Sequence, residues 1–435
     1  MTLKEHFKKN FTLAYPVVIG QLGHIMVSVA DTAMVGQVGV IPLAAATFAG
    51  TFYHILMLFG IGVSYAITPL VAATEQRDHP RILTFLQNGL LMNVILGLLL
   101  FLTGFAVVPF LSYFGQEPAV ATEAAPYLIV ALSSLIPLMV FQTFRQFAEG
   151  LSDTFNPMVI SLIANLLNVF LNWVLIFGKL GFPAMGLLGA GYATLLARVV
   201  MALLMIWAVR QRSTGFQFSF DFAVIKRMLK IGVPSGLQYV FEVGAFATAA
   251  IMVGWISAEA LAAHQIALNL AAISYMAATG IAAASTIRIG NQMGLRDLRN
   301  LKIAGITSFI SAAGFMTISG IIFILFRYQL VGLYVNNPEV EALAASLMII
   351  AAAFQISDGL QAVGLGVLRG LTDVKIPTLV TFFAYWMVSI PTGYVLAFVF
   401  DLGINGIWYA LLTGLSLAAI LHILRFRNQL RRLRF

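Results

Sequence analysis

The chain is written twice. Pro16, Met34-Val35-Gly36, Leu43-Ala44-Ala45 and Gly62 return as Pro234, Met252-Val253-Gly254, Leu261-Ala262-Ala263 and Gly280, each pair 218 residues apart in a chain of 435. Gly150-Leu151-Ser152-Asp153, closed by Pro157, returns as Gly370-Leu371-Thr372-Asp373, closed by Pro377, at an offset of 220. Self-similarity over half the length means that one unit must fold in two copies, and this narrows the architecture before any local reading.

Composition says what the unit is made of. Sixty percent of residues are hydrophobic and 10% charged, with a mean hydropathy of +0.94, against roughly a quarter charged in soluble domains. The chain therefore belongs in a membrane. Apolar runs long enough to cross a hydrocarbon core of about 30 Å recur twelve times, the first near 11–35 and the seventh near 229–256. The expected fold is an all-α integral membrane protein of twelve transmembrane helices, built as two parallel six-helix repeats. An even number of crossings per copy sets both copies the same way up, about an axis along the membrane normal. The lobes are expected at 1–210 and 229–435, with 211–228 as a cytoplasmic linker carrying basic residues up to Lys230. The first run is too long for a signal-peptide core and belongs to the repeat, so it reads as a mature helix.

The basic residues test this count, because lysine and arginine collect in short cytoplasmic loops. Of 25, twenty-two fall on one side of the twelve-helix topology. Only Lys179 and Arg327 fall on the other, and Arg198 lies inside a helix. Both termini are then expected to be cytoplasmic, and the net charge of +8 is accounted for by topology. The charges form no groove with interleaved aromatics, so no nucleic-acid partner is expected. No lysine precedes Ser or Thr, as a Walker-type phosphate loop requires, and no histidine precedes glutamate, as a zincin helix requires. The chain has no cysteine, which excludes disulfides and thiol chemistry. The Asn10-Phe11-Thr12 sequon has the cytoplasmic address.

Four ionisable residues lie deep in helices: Asp31, Arg198, Glu242 and Asp358. Each costs about 2.5–3.5 kcal/mol in lipid on insertion scales, so each should face protein or water. Gln21, His24, Ser28 and Asp31 share one face of the first helix. Ser235, Gln238 and Glu242 share one on the seventh, and Gln355, Asp358 and Gln361 one on the tenth. Amides and hydroxyls alone would suit a helix-packing seam. Three carboxylates without matching lysines suit it poorly, and suit the holding of cations better. At about 1.5 Å per residue, Glu242 and Asp358 reach similar depth and can form one site. The copies also differ chemically: Ala249 stands where Asp31 would repeat, and His24 where Glu242 would. Asn165, Asn168 and Asn172 share a face of the fifth helix, either as cavity lining or as a packing seam. Arg198 is expected to pair with backbone carbonyls or a neighbouring acid. Some aromatic faces can receive flat organic cations. The repeated Gly-Leu-Ser/Thr-Asp motif reads as a helix end, a tight turn and a proline-started helix.

These residues carry a resemblance. With its 6 + 6 helices, the Pro16 to Gly36 segment containing Asp31, the Ala262-Ala263-His264-Gln265-Ile266-Ala267-Leu268-Asn269 stretch, and acids at Glu242 and Asp358, the chain resembles the multidrug and toxic compound extrusion (MATE) transporters of the NorM-like branch over its full length. The resemblance implies a V-shaped pair of six-helix lobes and export of small organic cations in exchange for inward Na+ or H+. It makes Glu242 and Asp358 a second-lobe site for a monovalent cation, Tyr275 the aromatic beside it, and Asp31 the first-lobe acid. Gln21, His24, Ser28, Asn165, Asn168 and Asn172 would then line the first-lobe cavity, and Gln238 and Gln355 the second. It implies no cofactor beyond the coupling ion and no catalytic residues. It also implies a monomer among membrane lipids of a bacterial inner membrane. A lipid-linked-oligosaccharide flippase of the same superfamily is the nearer alternative, although an anionic headgroup would want several deep arginines. An intramembrane enzyme working through paired acids is the other.

Overall fold

The computed structural model describes residues 2–74, 79–210 and 220–433. Within them twelve helices are long and apolar enough to cross a membrane. The first six are α1 (Leu3–Val38), α2 (Val40–Ala72), α3 (Arg81–Phe105), α4 (Pro118–Gly150), α5 (Phe155–Phe177) and α6 (Gly186–Val209). The second six are α7 (Phe222–Gly254), α8 (Ala258–Leu295), α9 (Leu298–Leu325), α10 (Pro338–Gly370), α11 (Lys375–Val399) and α12 (Gly403–Arg432). No strand occurs among the described residues. Residues 211–219 of the expected linker lie outside them, as do Arg77, Arg212 and Arg434 of the charge count. Residues 222–228, expected as linker, are already helical.

Large apolar side chains stay exposed on the helices, among them Met26 (73%), Leu166 (73%) and Ile318 (61%). In water such a surface would be a liability; against lipid it costs nothing. Inside, the α7–α12 half is filled by Trp408, Tyr385 and Phe354, each no more than 2% exposed, with small residues such as Ala245, Ala263 and Ala351 between them. α11 is irregular, with π-helical turns at Phe383–Ser389 and Val395–Val399 on either side of Pro391. Asp297 caps the start of α9, its carboxylate accepting from the Asn300 backbone N–H at 2.9 Å and from the Asn300 side chain. Those bonds hold Asp297 below the usual carboxylate range.

The repeated turn is built alike in both copies. Asp153 N–H donates to Ala148 O at 2.9 Å and Asp373 N–H to Leu368 O at 3.0 Å. Ser152 (φ 63°) and Thr372 (φ 58°) take the left-handed conformation that closes each helix. A Cβ on Gly150 would stand 2.7 Å from Val71 Cβ and 3.1 Å from Thr68 O; on Gly370, 2.7 Å from Ile289 Cβ and 2.9 Å from Thr286 O. Thr68 and Thr286 each donate across the same contact, to Gln146 O at 3.1 Å and Gly366 O at 2.8 Å. The glycines are there because backbones touch. Gly150→Ala should therefore lower stability in detergent by about 1–3 kcal/mol through overpacking. Gly314→Ala on exposed α9, where a Cβ meets nothing within 4 Å, should be neutral or raise it by up to about 1 kcal/mol. Thermal unfolding of the two variants checks the contrast.

By contacts the chain divides into two compact units, Ile19–Gly236 and Met1–Val18 with Leu237–Phe435. The repeat boundaries and the contact units thus part at the first halves of α1 and α7. The physical reason is again close approach. A Cβ on Gly280 of α8 would lie 3.0 Å from Ala14 O, and one on Gly62 of α2 would lie 2.6 Å from Gly236 Cα. In the first unit Gly232 likewise sits against Val63 O. In the other, Arg288 of α8 donates to His6 O at 3.0 Å and to Asn10 Oδ1, and His6 Nε2 lies 3.0 Å from Asn300 Oδ1. Each half-helix is fastened by bonds a repeat alignment cannot reveal.

Candidate functional site

The unit Ile19–Gly236 holds an open cavity of about 480 Å³. α1 turns its whole polar stripe into it: Gln21, His24, Ser28 and Asp31 all line the wall. α5 adds Asn165 and Asn168, α2 adds Tyr53 and His54, α4 adds Tyr127 and Arg145, and α6 adds Arg198. Gly23 within the stripe brings α1 onto α5, since a Cβ there would stand 2.8 Å from Leu162 Cδ2 and 3.1 Å from Asn165 Nδ2.

The asparagine face of α5 splits its work. Asn172 is buried and donates through Nδ2 to Asp31 Oδ1. It also lies 3.2 Å from Asn168 Oδ1, and Asn168 Nδ2 donates to Thr194 Oγ1 at 3.3 Å. This ladder fixes the Asp31 carboxylate without neutralising it. Arg198 departs from expectation. Its Nη1 donates to Tyr53 Oη and, at 2.8 Å, to Ser134 Oγ. Its Nη2 lies 3.6 Å from Met57 Sδ, and the guanidinium stands 5.3 Å from the Tyr53 ring centre. Neither a carboxylate nor a backbone carbonyl is among these partners. The carbonyls of a helix interior are already engaged along the helix, so hydroxyls from neighbouring helices take the role. Tyr53, His54, Tyr127 and Arg145 were not among the site residues expected from the sequence, and the fold brings them to this wall from α2 and α4.

The second acid site lies in the other unit and is closed. Glu242 on α7 and Asp358 on α10 are 8% and 5% exposed, within electrostatic reach of each other. Tyr275 on α8 donates to Glu242 Oε1 at 3.1 Å. Gln238 Nε2 donates to Thr378 Oγ1 at 3.0 Å, which assigns it to the α7–α11 contact, one helical turn from Glu242. Asp358 Oδ1, both amide atoms of Gln355 and the Tyr385 hydroxyl are buried with no hydrogen-bond partner among the described residues. Neither acid forms an ion pair there. Two carboxylates amid orphaned oxygens can take up a monovalent cation or a proton, and stay bare only at high cost. No group of three or more His, Cys, Asp or Glu suited to a metal ion occurs among the described residues. Tyr385 is the member that sequence reading missed; it stands on the π-helical turn of α11, where no polar stripe marks it.

Sequence and structure comparisons bear on this arrangement. The family model described as MatE matches residues 16–174 and 234–395, once in each repeat. A probable multidrug resistance protein NorM from Rhizobium meliloti is 34% identical over 98% of this chain and 94% of its own length. The multidrug resistance protein MdtK of Yersinia pseudotuberculosis is 34% identical over 95% and 94%. Among solved structures, the eukaryotic MATE transporter AtDTX14 superposes with a TM-score of 0.87 at 20% identity, covering 99% of this chain and 98% of that one. The twice-matched repeat, the twelve spans and relatives aligned nearly end to end place this chain in the MatE family, as a NorM-like MATE transporter of the membrane.

Proposed function

We propose that this protein is a secondary active multidrug exporter, which expels small organic cations in exchange for inward Na+ or H+. The observation that carries the reading is Asp31, a carboxylate held by Asn172 at the wall of a cavity lined by aromatic rings and amides. A lipophilic cation gains there a counter-charge in a medium of low dielectric. Glu242 and Asp358 supply the second half: a buried acid pair that gains by loading an ion and can release it on the other side. The membrane potential adds roughly 2.3 kcal/mol per charge per 100 mV to inward ion flow. The relatives' names, multidrug resistance proteins NorM and MdtK, support the same substrate class. On this reading the protein acts as a monomer, in a bacterial inner membrane, with both termini cytoplasmic and with 1–210 and 229–435 as its lobes.

Uptake of radiolabelled tetraphenylphosphonium into proteoliposomes, under sodium and proton gradients imposed separately, tests the reading. Accumulation driven by one gradient is expected. Equal uptake with no gradient and no potential would refute it. Topology has its own check. Cysteines placed singly at Gln116 and Asn428 of this cysteine-free chain should be labelled by an impermeant maleimide from opposite faces of the membrane. Labelling from one face would overturn the orientation.

A further inference from the structure

In the unit of Met1–Val18 and Leu237–Phe435, buried polar groups without partners continue past the acid pair in one direction. Gln361 stands one helical turn beyond Asp358 on α10. It is fully buried, neither amide atom is hydrogen-bonded among the described residues, and it lies beside Glu242. His422 of α12 comes next. A Cβ on Gly364, one turn past Gln361, would stand 2.7 Å from His422 Cβ and 3.4 Å from Nδ1, so the glycine lets the ring meet the α10 backbone. His422 is 0% exposed, and neither ring nitrogen has a hydrogen-bond partner among the described residues. The carbonyls of Gln361 and Pro377 lie nearby, and that of Pro377 already accepts from Thr381 Oγ1 at 3.0 Å. One turn further on α12, Arg425 donates to Asp373 Oδ2 at 2.7 Å. That contact marks the end of the unit where α10 and α12 both finish, the cytoplasmic end on the proposed topology.

Packing does not ask for histidine here. Gly186, Gly189 and Tyr192 of α6 return as Gly403, Gly406 and Tyr409 of α12 at an offset of 217, which sets Met205 opposite His422. The offset of 220 that relates α4 to α10 sets Phe141 opposite Gln361. The first copy thus fills both positions with apolar side chains. A buried imidazole without partners costs free energy. It is also the side chain that near neutral pH can take a proton on one nitrogen and give one from the other. α12 packs against α10 and α11. Asp358 and Arg369 on α10, Lys375 and Tyr385 on α11, and Arg425 with Asp373 beyond the ring exert no charge on it, so it can change charge without breaking an ion pair.

We propose that His422 relays protons from the Glu242–Asp358 pair to the cytoplasmic end of its own unit, with Gln361 positioning water between them. The proposal rests on reading the acid pair as the coupling site, and it makes H+ the ion released there. A proton leaving the pair adds to the bare ring nitrogen, and the N–H on the other nitrogen gives up its proton toward the end marked by Asp373. The ring is left neutral, and exchange of its tautomer resets it. Na+ cannot pass through such a step.

The test measures two activities of the full-length protein in proteoliposomes. One is uptake of tetraphenylphosphonium driven by a proton gradient. The other is exchange of labelled for unlabelled tetraphenylphosphonium with no gradient, which requires the substrate site and alternation but no ion release. His422→Gln and His422→Met, the latter supplying the side chain that the first copy carries, should lower driven uptake by about a hundredfold, the scale on which a positioned proton-transfer group acts. Both should leave exchange unchanged. Driven uptake at the parental rate in both variants would overturn the proposal. So would loss of exchange together with driven uptake in both, the mark of a residue that only packs. Wild-type uptake driven by sodium but not by protons would also overturn it, while the exporter reading stands. Wild-type uptake that neither gradient drives would bring down that reading and the proposal with it.

Discussion

Replacing Glu242 by Gln, or Asp358 by Asn, should reduce ion-driven export by roughly a hundredfold or more, since losing a group that merely orients a metal ligand already costs about 10–100-fold, and leave the protein folded. The sign of the stability effect distinguishes a working site from a structural one. Both acids are buried without an ion-pair partner among the described residues, and each is within reach of the other's charge. Neutralising either removes a like-charge repulsion and a desolvation penalty, so thermal stability in detergent should hold or rise. In Glu242→Gln the new amide oxygen can still accept from Tyr275, so that 3.1 Å bond need not be lost. A role in packing would show the reverse, lowered stability with export surviving in whatever protein remains folded. Transport rate and unfolding temperature measured on the same preparations tell the two apart.

Asp31→Asn should weaken binding of a cationic substrate by about 10- to 150-fold, corresponding to a charge-assisted contact of about 1.5–3 kcal/mol, and stop export. The substitution keeps volume, and the new amide oxygen can still accept from Asn172, so the ladder through Asn168 to Thr194 can persist. What disappears is the net charge. If the ladder were the reason for Asp31, asparagine would serve nearly as well, and efflux of a fluorescent cation would continue at the parental rate. Normal efflux by Asp31→Asn would therefore reject its role at the substrate.

The architecture was legible because its signals are strong: twenty-residue apolar runs and a repeat of 218 residues have few alternative readings. Helix ends were less legible. α1 begins at Leu3, eight residues before its apolar run, because Lys4, Lys8 and Lys9 depress hydropathy without hindering a helical backbone. The fastening of the first halves of α1 and α7 was hidden, since a repeat records which segments correspond and not which ones touch. Only the glycines at 62 and 280 hinted at it. In the candidate sites, stripes found the residues that face inward from one helix. Asp31 with Gln21, His24 and Ser28 lines one cavity, and Glu242 meets Tyr275. Stripes cannot find a partner brought from another helix. Tyr53, Ser134 and Tyr385 belong to none of the stripes, and their roles follow from what the fold sets beside them. Arg198 was visible as an anomaly, but its partners were not, for the same reason.

The claim that coupling ion and substrate oppose each other on one protein is tested most directly at equilibrium. Linkage requires that an ion which promotes release of the drug also weaken its binding, and by the same factor in both directions. The measurement is the Kd of tetraphenylphosphonium for the purified protein, titrated with Na+ at constant pH and with H+ at constant Na+. The Kd should rise with one of the two ions in wild type, and its dependence on that ion should be lost or sharply reduced in the Glu242→Gln, Asp358→Asn double variant. A Kd that ignores both ions in wild type, or a dependence that survives intact in the double variant, would contradict the account.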